Sequence, residues 1–339
     1  MASETILITG ATGKQGGAVI NALIESAPDD VALRVFVRDA AADSVKALAA
    51  KGVEVAVGDM DDLPSVEQAL EGVSRVFLLT RFNLMAGESP SDEARRGLNF
   101  VEALKKQDGL RQILYSTLPF GENYDEGEGK HIIQQALVDA GLPVATVLPS
   151  FYLENFIDTW PAVRKDDAND SQLVWGWLPS DNPLTMPHVA IRDFGVAVAA
   201  MLCAEPKETL GKHHTMISSD LSLEDFIAQL AQKLDVQIDY EPMTKNALKN
   251  LMFPPAIVET FRYYGELWNQ RQGGTMEAFQ CLLPGVDTIP EAMAETQRWC
   301  QGNLQSIDSW LEENETALAQ YGEQKQLMGM AFAHAVANG

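Results

Sequence analysis

Three glycines near the start of the chain have the spacing of an anion-binding turn. Gly10, Gly13 and Gly16 follow the apolar run Ile6–Ile8, and an apolar helical pattern begins at Ala18. A strand that passes through side-chain-free residues into a helix presents unpaired N–H groups and the positive end of the helix dipole. The pattern therefore predicts a dinucleotide pyrophosphate at this turn. Because the spacing is G-x-x-G-x-x-G and not the commoner G-x-G-x-x-G, a structural turn without a ligand is the alternative.

The end of the second predicted strand bears on which dinucleotide is bound. An adenosine ribose with a free 2′-hydroxyl is usually held there by an acidic residue, whereas a 2′-phosphate needs a cation. Arg38 ends this strand and Asp39 follows it. A guanidinium can bind a phosphate through paired hydrogen bonds and can stack on adenine. We therefore predict NADP(H) in preference to NAD(H), and the alternative is that Arg38 only pairs with Asp39 at the surface.

Other predicted cofactor contacts follow from the rule that ligands lie outside the carboxyl ends of parallel strands. Asp59 and Met60 follow the third strand, and the Asp59 carboxylate is expected to accept from the adenine amine. Thr80 and Arg81 end the fourth strand and are expected beside the pyrophosphate and ribose. The residues predicted at the glycine turn are Gly10, Thr12, Gly13, Lys14, Gln15 and Gly16.

Strand and helix patterns alternate over residues 1–150, which predicts an α/β fold with a doubly wound parallel sheet. We predict six parallel strands in this NADP-binding domain and a return segment at about residues 186–204. Residues 151–339 are predicted to form a smaller, mostly helical substrate domain with a C-terminal helical extension, beginning with a helix over residues 155–165. The six strands are predicted near residues 5–8, 33–37, 53–57, 75–79, 112–115 and 144–148.

The composition limits the classes of partner. The 339 residues include 25 basic and 48 acidic side chains, for a formal net charge of −23. Such a surface repels nucleic acid and anionic membrane, so we expect neither as a partner. Three scattered cysteines are typical of a reducing compartment, and no apolar run approaches the ~18 residues of a membrane span. We expect a cytoplasmic protein with a small-molecule substrate, no bound metal, and a homodimer or protein partner as a further possibility.

Several segments resemble the NmrA-like group of atypical short-chain dehydrogenases/reductases. They are Thr9–Gly17, the strand end at Arg38, Gly58–Asp62, Leu148–Phe156 and Val189–Gly195. The resemblance implies that the N-terminal domain binds NADP(H) and that the smaller domain closes a cleft over the nicotinamide. It also implies that the segment with Pro149, Phe151, Tyr152 and Asn155 covers the nicotinamide. Members of the family divide between reductases and NADP-sensing regulators without turnover.

The candidate catalytic residues lie at the end of the fifth strand and after it. The Tyr-x-x-x-Lys motif of short-chain reductases is missing after the fifth strand, because Tyr124 stands six residues before Lys130. Lys130 matches the lysine that the family keeps on this helix, and it is either a general acid or base or a ligand of the nicotinamide ribose. Ser116 and Thr117 either orient a substrate oxygen or cap the loop. Tyr124, between glycines, is a candidate replacement for the missing tyrosine.

The sequence is compatible with two functions. Large apolar side chains between residues 253 and 268 belong either to the core, which their helical spacing favours, or to a cleft wall, which implies an uncharged substrate. The first function is an NADPH-dependent oxidoreductase acting on a small apolar carbonyl, quinone or imine. The second is a non-catalytic NADP(H)-binding redox sensor, which the missing tyrosine favours.

Overall fold

The fold is taken from a computed structural model, which describes residues 4–81, 87–118, 127–158, 163–164, 172–175, 187–240 and 288–318. The strands are β1 (Glu4–Thr9), β2 (Val31–Val37), β3 (Glu54–Val57), β4 (Arg75–Leu78), β5 (Gln112–Ser116), β6 (Val144–Pro149), β7 (Phe151–Tyr152), β8 (Val163–Arg164), β9 (Gln172–Trp175), β10 (His188–Val189), β11 (His213–Met216) and β12 (Gln237–Tyr240). The helices are α1 (Lys14–Ser26), α2 (Asp43–Ala50), α3 (Leu63–Leu70), α4 (Pro90–Leu104), α5 (Glu128–Asp139), α6 (Asn155–Asp158), α7 (Ile191–Cys203), α8 (Leu223–Leu234), α9 (Ile289–Trp299), α10 (Ile307–Glu313) and α11 (Glu315–Leu318).

The chain divides into two compact units. Unit 1 comprises Met1–Pro149, Ile191–Met216 and Gly285–Leu304, and unit 2 comprises Ser150–Ala190, Ile217–Pro284 and Gln305–Gly339. Unit 1 contains a seven-stranded sheet in the order β11-β6-β5-β4-β1-β2-β3, with every neighbouring pair parallel. The predicted fold class, a doubly wound parallel sheet, is confirmed.

Apolar runs in the strands explain why this sheet is covered on both faces. Ile6, Leu7 and Ile8 of β1 are almost fully buried, as is every residue of β4. On one face, Phe36 of β2 meets Phe100 of α4 edge to face at 5.7 Å between ring centroids. On the other, α7 lies against α1, and this close packing requires Gly195, because a Cβ there would stand 2.6 Å from the Ala18 carbonyl carbon. Continuous burial of this kind is what a parallel strand between two helical layers demands.

The sequence prediction of six strands was one too few. β11 has the sequence His-His-Thr-Met and lacks the apolar run that marks a buried strand. Its two histidines have polar partners instead: His213 Nδ1 lies 2.6 Å from Thr146 Oγ1, and His214 Nδ1 lies 2.9 Å from Glu295 Oε1. The return segment therefore extends to Met216, beyond the predicted residue 204.

Unit 2 contains two small sheets beside a buried apolar cluster. β10 pairs with β7 in parallel, and β9 lies between β12 and β8. Its core includes Phe156, Phe226 and Trp310, and the Trp310 indole N–H donates to Glu154 Oε1 at 3.0 Å. The prediction of one helix over residues 155–165 was wrong, because α6 ends at Asp158 and β8 occupies residues 163–164. Pro161 in the sequence disfavours helix in the residues before it.

Within the described ranges, no helix has both the length and the apolar character needed to span a membrane. The sequence predicts a mostly helical chain from Thr244 to Trp310, and its residues 244–287, with the aromatic side chains between 253 and 268, lie outside the described residues.

Candidate functional site

The glycine turn between β1 and α1 is held in a shape that only glycine tolerates. Gly10 has φ +67°, in the left-handed region, and its carbonyl accepts from the Gly13 N–H at 2.9 Å. A Cβ on Gly16 would stand 2.4 Å from the Gly10 carbonyl carbon and oxygen. Gly13 is the N-cap of α1, and no side-chain hydrogen bond caps the helix there. A helix N-terminus without a side-chain cap, next to a glycine turn, is the arrangement from which the sequence predicts an anion site, and the bound pyrophosphate stays a prediction.

This turn lies where the strand order of the sheet reverses. β1 has β2 on one side and β4 on the other, and the crevice beyond such a reversal is the usual ligand site of a doubly wound sheet. The Thr9 hydroxyl donates to the Leu79 carbonyl at 2.9 Å and accepts from the Leu79 N–H at 2.7 Å. A Cβ on Gly10 would come within 2.9 Å of Leu79 Cδ2. These contacts hold the carboxyl end of β1 against that of β4 at the base of the crevice.

Arg38 is exposed at the carboxyl end of β2. The neighbouring Asp39 carboxylate accepts from the Ala41 N–H at 2.7 Å, in a turn that does not involve the guanidinium. Among the described residues Arg38 has no ion-pair partner, so the surface pair with Asp39 is not present. The guanidinium remains exposed at the position where a ribose phosphate is predicted.

The loop after β3 is preorganised by its own hydrogen bonds. The Asp59 carboxylate accepts from the Asp61 N–H at 2.9 Å, and the Met60 carbonyl accepts from the Asn99 side-chain amide of α4 at 2.8 Å. A Cβ on Gly58 would stand 2.5 Å from Ser65 Oγ, so the loop closes tightly on the start of α3. Asp59 is exposed at the carboxyl edge of the sheet, and its adenine contact remains a prediction.

A buried ion pair lies behind the ends of β4 and β5. Lys130 Nζ lies 2.9 Å from Glu93 Oε1, and it donates to the Thr80 carbonyl at 2.6 Å and toward the Ser116 carbonyl at 3.4 Å. Lys130 is 6% exposed and Glu93 1%. Burial lowers the pKa of Lys130 from its ordinary value, and the Glu93 carboxylate opposes that shift. The same carboxylate oxygen accepts from the Thr80 hydroxyl at 2.8 Å.

Two glycines bring α4 and α5 close enough for this pair to form. A Cβ on Gly129 would stand 2.4 Å from the Pro90 carbonyl oxygen, and a Cβ on Gly97 would stand 2.2 Å from Ile133 Cδ1. The first turns of the two helices therefore touch backbone to backbone. This contact brings Lys130, one residue after Gly129, beside Glu93 in the first turn of α4, where the helix dipole favours a carboxylate.

The two predicted hydroxyl residues are engaged within unit 1. Ser116 Oγ donates to Gln15 Oε1 at 2.7 Å, which joins the end of β5 to the glycine turn. Thr117 Oγ1 donates to Gln134 Oε1 at 3.0 Å. Both hydroxyl protons are therefore directed to glutamine side chains, while the oxygen lone pairs remain available to accept.

Sequence reasoning missed Glu93 and Tyr115 as parts of this cluster. Tyr115 Oη lies 3.2 Å from Thr80 Oγ1, and the Lys130 ammonium lies 5.8 Å from the Tyr115 ring centroid. Burial raises the pKa of Tyr115 well above its ordinary value. The available signal was helical spacing, because Glu93 shares one face of α4 with Gly97 and Phe100.

The remaining predicted residues belong to the strand ends and to unit 2. Pro149 ends β6 in unit 1, while Phe151 and Tyr152 form β7 in unit 2 and Asn155 begins α6. Thr12 and Lys14 lie on the exposed side of the glycine turn, and Arg81 is exposed after β4. Tyr124 lies outside the described residues, and these assignments stay predictions.

Comparison with known proteins agrees with this architecture. A reductase of Streptomyces griseus, named (4-alkanoyl-5-oxo-2,5-dihydrofuran-3-yl)methyl phosphate reductase, is 26% identical over 276 residues, covering 79% of this chain and 88% of its own. Quinone oxidoreductase 2 of Escherichia coli is 25% identical over 260 residues, covering 75% and 84%. The crystal structure of NmrA, a negative transcriptional regulator in complex with NADP, aligns with a TM-score of 0.71 at 18% identity, over 100% of this chain and 98% of its own.

These relatives include both enzymes and a regulator, and the structural likeness at this identity concerns the fold. The model of the NmrA-like family matches residues 2–315. With a match over nearly the whole chain, and a glycine turn at the strand-order reversal of its parallel sheet, the protein belongs to the NmrA-like family.

Proposed function

We propose that this protein is an NADPH-dependent oxidoreductase that acts on a small apolar carbonyl, quinone or imine. The cradle formed by Gly10, Gly13 and Gly16 fits a pyrophosphate, because it combines close backbone approach with uncapped N–H groups. Relatives of similar length named as reductases support the oxidoreductase class. The observation that carries the proposal is the position of Lys130, whose ammonium is hydrogen-bonded to backbone carbonyls at the carboxyl ends of β4 and β5.

The roles of the protein groups follow from their hydrogen bonds. When bound, NADPH supplies a hydride from its nicotinamide ring. The glycine turn binds the diphosphate, and Arg38 binds the 2′-phosphate. Ser116 and Thr117 orient polar groups at the end of β5, and the proton that accompanies reduction of a carbonyl or imine comes from Lys130 or from water.

A substrate screen tests this proposal. Consumption of NADPH is followed with quinones, enones and imines, using wild-type protein and Lys130→Met. We expect turnover by the wild type and a loss of at least about tenfold in kcat/KM for the variant, since a positioned charge or proton donor typically contributes that much or more. If NADPH binds but none of these acceptors is reduced, the proposal that the protein is an oxidoreductase is wrong.

Arg38→Ala tests the choice of nucleotide. A charge-assisted hydrogen bond is worth roughly 1.5–3 kcal/mol, so the variant is expected to lose about tenfold to 100-fold in affinity for NADPH. Its affinity for NADH, which lacks the 2′-phosphate, is expected to change little. Titration calorimetry with both nucleotides measures the two losses, and equal losses would count against recognition of the 2′-phosphate by Arg38.

The second candidate is a non-catalytic NADP(H)-binding redox sensor. The observation that favours it is that the hydroxyl protons of Ser116 and Thr117 are given to glutamine side chains. A sensor is expected to change its oligomeric state or its affinity for a protein partner between NADP⁺ and NADPH. Sedimentation of the protein with each nucleotide, in parallel with the substrate screen, separates the two candidates.

A further inference from the structure

The Lys130–Glu93 pair is more deeply buried than a group that exchanges protons with a substrate or with solvent needs to be. Taking both charges out of water has a large desolvation cost, which close geometry and further hydrogen bonds must offset. Here the offsets are visible: Glu93 Oε1 accepts from Lys130 at 2.9 Å and from the Thr80 hydroxyl at 2.8 Å. The pair is therefore a specific, hydrogen-bonded part of the core of unit 1.

The number of acceptors around Nζ indicates which protonation state fits. Among the residues that the structure describes, three oxygens surround it, from the Thr80 carbonyl, the Glu93 carboxylate and the Ser116 carbonyl. An ammonium has three N–H donors and can satisfy all three oxygens, whereas a neutral amine has only two. If Lys130 released its proton, one of these three oxygens would be left without a donor in a buried place.

The location of this charge indicates what it acts on. Thr80 directly follows Leu79, which is hydrogen-bonded to Thr9 at the end of β1. Ser116, the other carbonyl partner, donates through its hydroxyl to Gln15 of the glycine turn. The ammonium is thus connected through two short routes to the turn where the diphosphate is proposed to bind. An ammonium in a low-dielectric layer behind an anion site attracts the anion more strongly than it would in water, and the Glu93 carboxylate at 2.9 Å offsets part of that attraction.

We propose that Glu93 is a positioning residue that holds Lys130 as a permanent ammonium behind the crevice, where it stabilises bound NADP(H) through its charge and does not serve as the proton donor. This inference rests on the proposed NADP(H) site and assigns the proton of reduction to water. Within the described part of the chain, the titratable groups that face the ammonium are Glu93 on α4 and Tyr115 on β5.

The first test needs no cofactor. In protein labelled with ¹⁵N-lysine, the Nζ resonance of Lys130 is identified as the signal that Lys130→Met removes. We expect a protonated, slowly exchanging ammonium from about pH 7.5 to about pH 9 in the wild type, and loss of its proton within that range in Glu93→Gln, where burial lowers the lysine pKa without an opposing carboxylate. A wild-type Lys130 that is neutral in this range overturns the inference, whether or not the protein binds NADPH.

The second test measures NADPH affinity at the same two pH values. For Glu93→Gln we expect an NADPH affinity at least equal to that of the wild type at about pH 7.5, where Lys130 keeps its proton. Between about pH 7.5 and about pH 9 the affinity of this variant is expected to fall about tenfold, because the lysine loses its proton over that range. The double variant Glu93→Gln/Lys130→Met is expected to bind no more weakly than Lys130→Met alone. The control is Glu102→Gln, an exposed carboxylate on the same helix that pairs with Lys105, and its affinity should follow the wild type.

The outcomes separate the inference from the function on which it rests. A loss in Glu93→Gln that is the same at both pH values, or that adds to the loss in Lys130→Met, would mean a purely structural role for Glu93 and would overturn the inference. A wild-type protein that shows the charged Lys130 resonance but does not bind NADPH would instead defeat the proposed function and, with it, the assigned purpose of the charge.

Discussion

Gly16→Ala is expected to weaken NADPH binding by more than about 100-fold, close to abolishing it. The added Cβ would stand 2.4 Å from the Gly10 carbonyl carbon and oxygen and 2.6 Å from the Thr9 carbonyl oxygen. All of these are backbone atoms, so the start of α1 must move away from β1. A displacement of about 1 Å in a group that positions a ligand is enough for a loss of this size. Binding is measured by titration calorimetry.

Gly17→Ala is the matched control for this change. It adds the same methyl group one residue further along α1, where the Cβ would stand 3.3 Å from the Ala11 carbonyl oxygen, a contact that a shift of a few tenths of an ångström relieves. We expect it to keep NADPH affinity within a few-fold of the wild type. Similar affinities for the two variants would mean that the pyrophosphate does not depend on the geometry of the Gly10–Gly16 turn.

Much of unit 1 could be predicted because its signals are local and repeated. Apolar runs at the right spacing identified six of its seven strands, and the fold class and the family are confirmed. The glycine turn could be predicted because a positive φ at Gly10 and a close backbone contact at Gly16 restrict the residue type at single positions. β11 could not, because its burial depends on side chains distant in sequence, such as Glu295.

The candidate site was only partly predictable for a similar reason. Lys130 was identified because it matches the lysine that the family keeps on this helix, but the carboxylate that pairs with it lies 37 residues earlier on another helix. That pairing depends on the α4–α5 crossing at Gly97 and Gly129, which no spacing within one helix reveals. The Ser116–Gln15 hydrogen bond likewise joins the end of β5 to the first turn of α1, which only the assembled sheet brings together.

The stability of the protein toward acid is expected to depend on His188 in unit 2. Its ring is fully buried among Phe151, Phe156 and Phe226, with ring centroids 6.2, 5.7 and 5.8 Å away. Burial lowers its pKa from 6.5 to about 3. Between these two values the unfolded chain binds a proton that the folded chain does not, so the free energy of unfolding falls as the pH falls. The contribution is about 1.4 kcal/mol per pH unit, or roughly 2 kcal/mol between neutral pH and pH 5.

His188→Phe removes this titration and keeps an aromatic ring stacked on Phe226. We expect its free energy of unfolding in urea to fall by about 2 kcal/mol less than that of the wild type when the pH is lowered from about 7 to about 5. Carboxylates that titrate over the same range affect both proteins and cancel in the comparison. His131→Gln, which removes an exposed imidazole from α5, is the control and should keep the wild-type dependence. Equal losses in the wild type and in His188→Phe would mean that the imidazole gains a proton in the folded protein, and therefore that water or a polar group reaches it among the phenylalanine rings.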